Sequence, residues 1–207
     1  MKPFVTLTAI AAPFDAVNID TDQIIPARFI RKPLGPDYHR YLFHDIRFTE
    51  NGEERGDFIL NQPAYRKARI IVANRNFGCG SSREQAVFAL DANHIRAVIA
   101  PSFGDIFHNN CFKNGLLPIC LPEEICAALR AQLHENPGAE TIIDLEANRI
   151  TAADGTGHNF TVSDFRSRCL LQGLDDIALT LEHKTAIDAF ETDYRREMSW
   201  LYPAGNT

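Results

Sequence analysis

The chain has 207 residues, 45% of them hydrophobic and 23% charged, with 21 basic against 27 acidic side chains and a formal net charge of −6. Such a composition describes one globular domain whose core needs neither disulfides nor metal to hold it. It excludes the basic face of a nucleic-acid binder, and no apolar run approaches the roughly 18 residues of a membrane span.

Met1 to Ala12 carries one lysine and lacks the long apolar core of a signal peptide, so a soluble, cytoplasmic protein is expected. The five cysteines (Cys79, Cys111, Cys120, Cys126 and Cys169) are odd in number and include no Cys-x-x-Cys pair. That disfavours a disulfide scaffold and a self-contained zinc or iron–sulfur site, so this chain is expected to bind no metal.

In chain order, Phe4 to Ala12 reads as a strand, and Asn18 to Pro26 as a polar turn entering the short run Ile24-Ile25. Residues 31 to 57 are loop-like, punctuated by Pro33, Gly35, Pro36, Gly52 and Gly56. The aromatics Tyr38, Tyr41, Phe43 and Phe48 imply that this loop packs on something. Arg69 to Ala73 has the composition of a buried strand. A glycine-rich loop follows, then a helix from about Ser82 to Ala92 and a strand from Ile95 to Ala100. Ser102 is expected to cap a helix reaching Phe112, before a strand at Leu116 to Leu121. Pro122 opens a helix that ends near Asn136-Pro137-Gly138. This alternation implies right-handed crossovers and a largely parallel core. Beyond Thr141, short strands are expected at Ile142 to Leu145, Arg149 to Thr151 and Asn159 to Val162, with a turn at Asp154-Gly155. Helices are expected from Ser163 to Leu171 and from Asp175 to the end, the last part (about 183–200) forming an extension for a partner or packing on its own domain.

Chemistry concentrates in Asn76-Phe77-Gly78-Cys79-Gly80-Ser81-Ser82-Arg83-Glu84-Gln85, between a predicted strand and a predicted helix. Two glycines permit a tight turn and close approach of a ligand. The helix start offers free N–H groups and the positive end of its dipole. Arg83 adds a planar fork suited to a carboxylate or phosphate. The bland alternatives are capping boxes, Ser81 with Glu84 or Ser82 with Gln85. Neither accounts for two glycines, two serines and an arginine together. A dinucleotide fingerprint fails because Arg83 stands where a third glycine is needed, and a P-loop fails for want of Gly-Lys-Ser/Thr.

These residues resemble the signature of the swivelling domain of the aconitase superfamily. The similarity extends to Asn18-Ile19-Asp20-Thr21-Asp22-Gln23-Ile24-Ile25-Pro26-Ala27-Arg28, to Ile99 through Phe107, to Asn114-Gly115-Leu116-Leu117-Pro118 and to Gly173 through Leu181. Over nearly the whole chain this pattern is similar to the small subunits of bacterial 3-isopropylmalate dehydratases. The resemblance implies a single α/β domain spanning 1–207, of the swivelling β/β/α kind, with a mixed, mostly parallel sheet and flanking helices. It implies a hydro-lyase that interconverts 2- and 3-isopropylmalate in leucine biosynthesis and works with a large subunit. In such enzymes a 4Fe–4S cluster is held by three cysteines of the large subunit; Cys79 is not expected to be a ligand. Carried over, Ser81 is the base at the carbon proton, Ser82, Arg83 and Gly80 contact the hydroxy-diacid, and Asp22 orients the serine loop or relays a proton. Asp20 is assigned a turn hydrogen bond, and Arg28, with Arg31 as rival, the grip on the far carboxylate. Two departures stand out. Gln85 replaces a usual histidine, and the loop Phe29 to Phe43 lacks the common string Arg-Thr-Gly-Phe-Gly. A related hydro-lyase acting on citraconate, dimethylmalate or homoaconitate is therefore the alternative, and a non-catalytic anion-binding module a further one.

Overall fold

The computed structural model describes residues 1–202. Its centre is a seven-stranded mixed sheet in the order β4-β3-β2-β1-β5-β6-β7. The strands are β1 (Thr6–Phe14), β2 (Ile70–Ala73), β3 (Ala97–Ala100), β4 (Leu117–Cys120), β5 (Glu140–Asp144), β6 (Arg149–Thr151) and β7 (Gly157–Asn159). β1 to β4 run parallel, while β5, β6 and β7 form an antiparallel meander on the other side of β1.

β1 joins the two halves. Its first residues, Thr6 to Ile10, pair antiparallel with β5, and its last, Ala11 to Phe14, pair parallel with β2. The burial pattern changes accordingly. Exposed and buried residues alternate over Thr6–Ala9, as on a sheet with one wet face, whereas Ala11 to Phe14 are all buried. β2 and β3, buried along their whole length, have helices on both faces.

The helices are α1 (Thr21–Ile24), α2 (His44–Arg47), α3 (Glu84–Ala92), α4 (Asp105–Lys113), α5 (Glu123–Glu135), α6 (Asp164–Gln172), α7 (Asp176–Leu181) and α8 (Lys184–Glu197). One core layer joins α3 and α4 to the inner face of the sheet through Ile71, Val98, Leu90 and Phe107; the other joins α5 and α6 to the opposite face through Ile70, Ile99, Leu129 and Leu170.

Several elements differ from the sequence expectation. Ser102 does not cap α4; Gly104 holds that place and the Ser102 hydroxyl accepts the Asn76 N–H at 2.9 Å instead. The strand expected at 159–162 lies at 157–159, because the pairing with β6 sets its register. The C-terminal helix is broken at Glu182-His183 into α7 and α8, and 203–207 lie outside the described residues.

The segment 31–57 is packed, as its aromatics implied. Tyr38, Leu42, Phe43 and Phe48 are buried, and Phe14, Phe43 and Phe58 share ring contacts. A buried polar knot pins it. Arg47 donates to Asn61 Oδ1 at 3.0 Å and to Asn93 Oδ1 at 2.8 Å, and Asn61 Nδ2 donates to the carbonyls of Arg47 and Arg55 at 2.8 and 2.9 Å. Asn93 closes α3, so the knot ties the loop to the helix that begins beside the serines. Burial pushes the Arg47 guanidinium down, which makes its partners costly to lose. Asn61→Ala should therefore destabilise the chain by about 1–3 kcal/mol in urea unfolding. A loss below about 0.5 kcal/mol would show that the knot does not hold the loop.

Candidate active site

β1, β2 and β3 end on one edge of the sheet, the edge at which open α/β sheets bind ligands. The loop leaving β2 lies there between two neighbours that grip its backbone. On one side Gly78 N–H donates to the Ile19 carbonyl at 2.7 Å and Thr21 N–H donates to the Cys79 carbonyl at 2.8 Å. The buried Thr21 hydroxyl donates to the Ser81 carbonyl at 3.1 Å. On the other side Phe77 N–H donates to the Ser102 carbonyl at 3.0 Å and Gly104 N–H to the Phe77 carbonyl at 2.9 Å. Asn76, with φ 62°, sends its amide to Asn18 Oδ1 at 2.8 Å.

The glycines have separate reasons. Gly78 has φ +70°, and a side chain there would collide with the Phe107 ring. Gly104 meets Gly78 so closely that a Cβ would stand 2.5 Å from the Gly78 carbonyl oxygen. Gly80 has room, with Asp20 and Thr21 atoms at 3.5 Å, but its φ of +95° is one that side-chain-bearing residues rarely adopt.

Ser81 and Ser82 emerge from this clamp exposed to solvent. α3 begins at Glu84, two residues later than expected, with Arg83 in the cap position and no side-chain cap. The capping-box readings of Ser81 and Ser82 are thereby overturned, because both residues precede the cap. The leading N–H groups of α3 and its positive dipole end are left beside the two hydroxyls. Glu84 is held by Asn114, whose Nδ2 donates to its carboxylate at 2.8 Å.

Arg83 is largely buried and reaches across to the Thr-Asp turn, where Nη1 forms an ion pair with Asp22 and donates to the Ile25 carbonyl at 3.3 Å. Asp22 sits in α1, which Asp20 starts with a capping box: Gln23 N–H donates to Asp20 Oδ1 at 2.7 Å and Asp20 N–H to Gln23 Oε1 at 3.1 Å. So the structure brings Asp22, Gly80 and Arg83 together around the serines and gives Asp20 the expected turn bond. Arg28 is engaged elsewhere. It is exposed, lies over the Phe29 ring and pairs bidentately with Asp45, in a cavity with His44, Phe48 and Arg55 that no residue of the serine loop lines. This pairing raises the Arg28 guanidinium and lowers the Asp45 carboxyl.

Sequence reasoning assigned no role to Thr21, Gly104 or Asn114. Thr21 stood inside the quoted Asp-Thr-Asp string, and its burial was the missing signal. The Gly104 contact is non-local and leaves no trace in spacing. Among the described residues, no group of three His, Cys, Asp or Glu side chains is placed to hold a metal ion.

The comparisons with known proteins bear on this geometry. Residues 1–124 match the aconitase C-terminal domain family, and residues 176–204 match the family of C-terminal domains of the 3-isopropylmalate dehydratase small subunit. The chain is 51% identical to the 3-isopropylmalate dehydratase small subunit of Rhodospirillum centenum, over 97% of this chain and 98% of the relative. It is 49% identical to that of Roseobacter denitrificans, over 97% and 100%. The chain belongs to the family of 3-isopropylmalate dehydratase small subunits. The family is one of hydro-lyases within the aconitase superfamily. A crystal structure of 3-isopropylmalate dehydratase from Methanocaldococcus jannaschii is similar in fold, with a TM-score of 0.61 and 28% identity over 90% of this chain and 99% of that one.

Cys79 lies in the middle of the family's serine loop, half-buried beside Asp20. Burial first, and the Asp20 charge second, push its thiol up, so the thiolate fraction at neutral pH is smaller than for a free cysteine. Peptide-mapped alkylation at pH 7.5 should label Cys79 several-fold more slowly than free cysteine, with the rate still rising above pH 9. Labelling as fast as free cysteine would contradict this environment.

Proposed function

We propose that this chain, together with a large subunit, catalyses the dehydration and rehydration that interconvert 2-isopropylmalate and 3-isopropylmalate in leucine biosynthesis, in the cytoplasm. The observation that carries the reading is the exposed Ser81-Ser82 pair set between the uncapped start of α3 and the buried side of Arg83. The chain supplies one wall of a site, and the large subunit supplies the other.

In this reading Ser81 Oγ takes the proton from the substrate carbon. The bonding pair becomes the double bond of 2-isopropylmaleate, and the hydroxyl leaves the adjacent carbon. A 4Fe–4S cluster belonging to the large subunit would supply the Lewis acidity that eases departure of that hydroxyl. A serine alkoxide is costly in water, and here the dipole of α3 and the nearby guanidinium stabilise it. Rehydration at the other carbon returns the proton from Ser81. Ser82 donates a hydrogen bond to a substrate carboxylate. Among the described residues both bonds that Arg83 donates use Nη1, so its Nε–Nη2 edge faces no such partner and suits a carboxylate. Asp22 positions that guanidinium, Gly80 lets the substrate approach the backbone, and Arg28 exchanges Asp45 for the far carboxylate. Residues 31–41, which depart from the common family string, select the substrate's side chain; citraconate, dimethylmalate and homoaconitate are the competing diacids.

Three readouts test the proposal. The isolated chain should be colourless and inactive, and activity should appear on adding the cognate large subunit with its cluster rebuilt, 2-isopropylmalate being preferred in a panel of hydroxy-diacids. Turnover by the isolated chain would contradict the two-subunit reading. Arg83→Lys keeps the charge but loses the fork, so KM should rise by about 10–100-fold. An unchanged KM would remove Arg83 from the substrate's carboxylate.

A further inference from the structure

The last two helices carry a surface that the other described residues leave uncovered. Among the described residues, α8 packs to any extent only on the 3₁₀ turn Ser199–Leu201 that follows it. Along α8, Ile187, Phe190 and Tyr194, with Met198 at its end, recur at helical spacing as one apolar stripe, in which Phe190 is exposed and the other three are half-buried. Phe190 and Tyr194 stack with ring centroids 5.6 Å apart. Phe190 is 65% exposed, and α7 adds Ile177 at 73% and Leu181 at 57%. Trp200 in the closing turn is 73% exposed. Exposed apolar side chains recurring on two successive helices mark a site of association.

The polar face of α8 narrows the choice of partner. Lys184 pairs with Asp188 at 2.8 Å, Arg195 with Glu191 at 3.6 Å and Arg196 with Asp193 at 2.8 Å. These pairs support a helix that has little packing to hold it. They also neutralise one another, so the helix lacks the cationic face that would favour an anionic lipid surface. An amphipathic helix of this kind fits an apolar groove on a protein.

The particular protein follows from two observations. The apolar helices fall within 176–204, the segment that matches a domain described for the dehydratase small subunits, whereas 1–124 match a domain described as the C-terminal part of aconitase. A domain within a longer chain is held beside its neighbours at high effective concentration, and a separate subunit must replace that advantage with contact area. One of the two helices, α7, also lines a groove that leads toward the site. α4 starts against the serine loop and borders a groove of about 350 Å³ formed with α6 and α7, lined by Asn109, Phe112, Phe165 and Leu179. At about 1.5 Å of rise per residue, that groove begins roughly 6 Å along α4 from the loop.

We infer that Ile177, Leu181, Phe190 and Trp200 form the docking surface for the large subunit, which receives them in an apolar groove next to the wall that closes over Ser81. The inference rests on the two-subunit reading above. The test is the affinity of the full chain for its cognate large subunit, measured by calorimetry, with Ile177→Glu and Phe190→Glu combined. The double variant should bind at least about tenfold more weakly and melt within about 2 °C of the unaltered chain. Ser81→Ala should bind as the unaltered chain does. Should the glutamates disturb folding, Ile177→Ser with Phe190→Ser reads the same loss. Equal affinity of the folded double variant overturns the inference and leaves the catalytic reading standing. Failure of the unaltered chain to bind overturns both. Self-association of the isolated chain, abolished by the double variant while affinity for the large subunit is unchanged, assigns the stripe to a second copy and overturns it as well.

Discussion

The pairing of the backbone at Ile19–Thr21 with the backbone at Gly78–Ser81 is the constraint on which the site depends. Three hydrogen bonds between 2.7 and 3.1 Å hold these segments together, though they stand some 60 residues apart in sequence. Without them the serine loop would be a surface turn with a wide choice of conformations. With them, and with Gly104 pressed against Gly78 from the other side, the loop has one path, and that path ends with two hydroxyls at the start of α3. The ion pair of Arg83 with Asp22 runs between the same two segments, so the group proposed to bind substrate is positioned by the clamp that positions the serines.

The sheet supplies the rigidity behind this arrangement. β1 is long because it serves two partners at different heights, β5 along its first half and β2 along its second. Its C-terminal end and that of β2 feed the two clamped segments directly. The segment 31–57, which contains little regular structure, is fixed from below by Phe43 and Phe58 and from the side by the Arg47–Asn61–Asn93 knot. The exposed residues 31–37 can thus vary without disturbing α3.

The parts of the fold that follow local rules were legible in the sequence. The buried runs at 70–73, 97–100 and 117–119, the helix opened by Pro122 and the aromatic packing of the 38–48 segment follow composition and spacing. Errors arose where a non-local contact outweighed a local preference. Ser102 has the chemistry of a helix cap, yet its hydroxyl accepts from Asn76 because the clamp brings that N–H to it. The capping boxes that Ser81 and Ser82 fit by spacing, weighed in the sequence only as the lesser alternative, do not form, because Arg83 takes the cap position and its fork reaches Asp22. The grouping of Gly80, Ser81, Ser82 and Arg83 into one anion-binding loop was legible in residue type and spacing, whereas the place of Asp22 beside it came from the resemblance to a family. Thr21 and Gly104 act only through contacts that tertiary structure creates.

Two features of the molecule face outward: the exposed Ser81-Ser82 pair, and the exposed apolar side chains Ile177, Leu181, Phe190 and Trp200 of the C-terminal segment. The proposals above assign both to contact with a large subunit. The account turns on Ser81 acting chemically and not as a helix cap. Turnover and melting temperature of Ser81→Ala, measured in the reconstituted two-subunit enzyme, test this most directly. Since the Ser81 side chain caps nothing in α3, melting should stay within about 1 °C, while turnover falls at least about 10²-fold, the loss expected of a positioned base. Turnover within about threefold of the unaltered enzyme would contradict the assignment of Ser81 as the base.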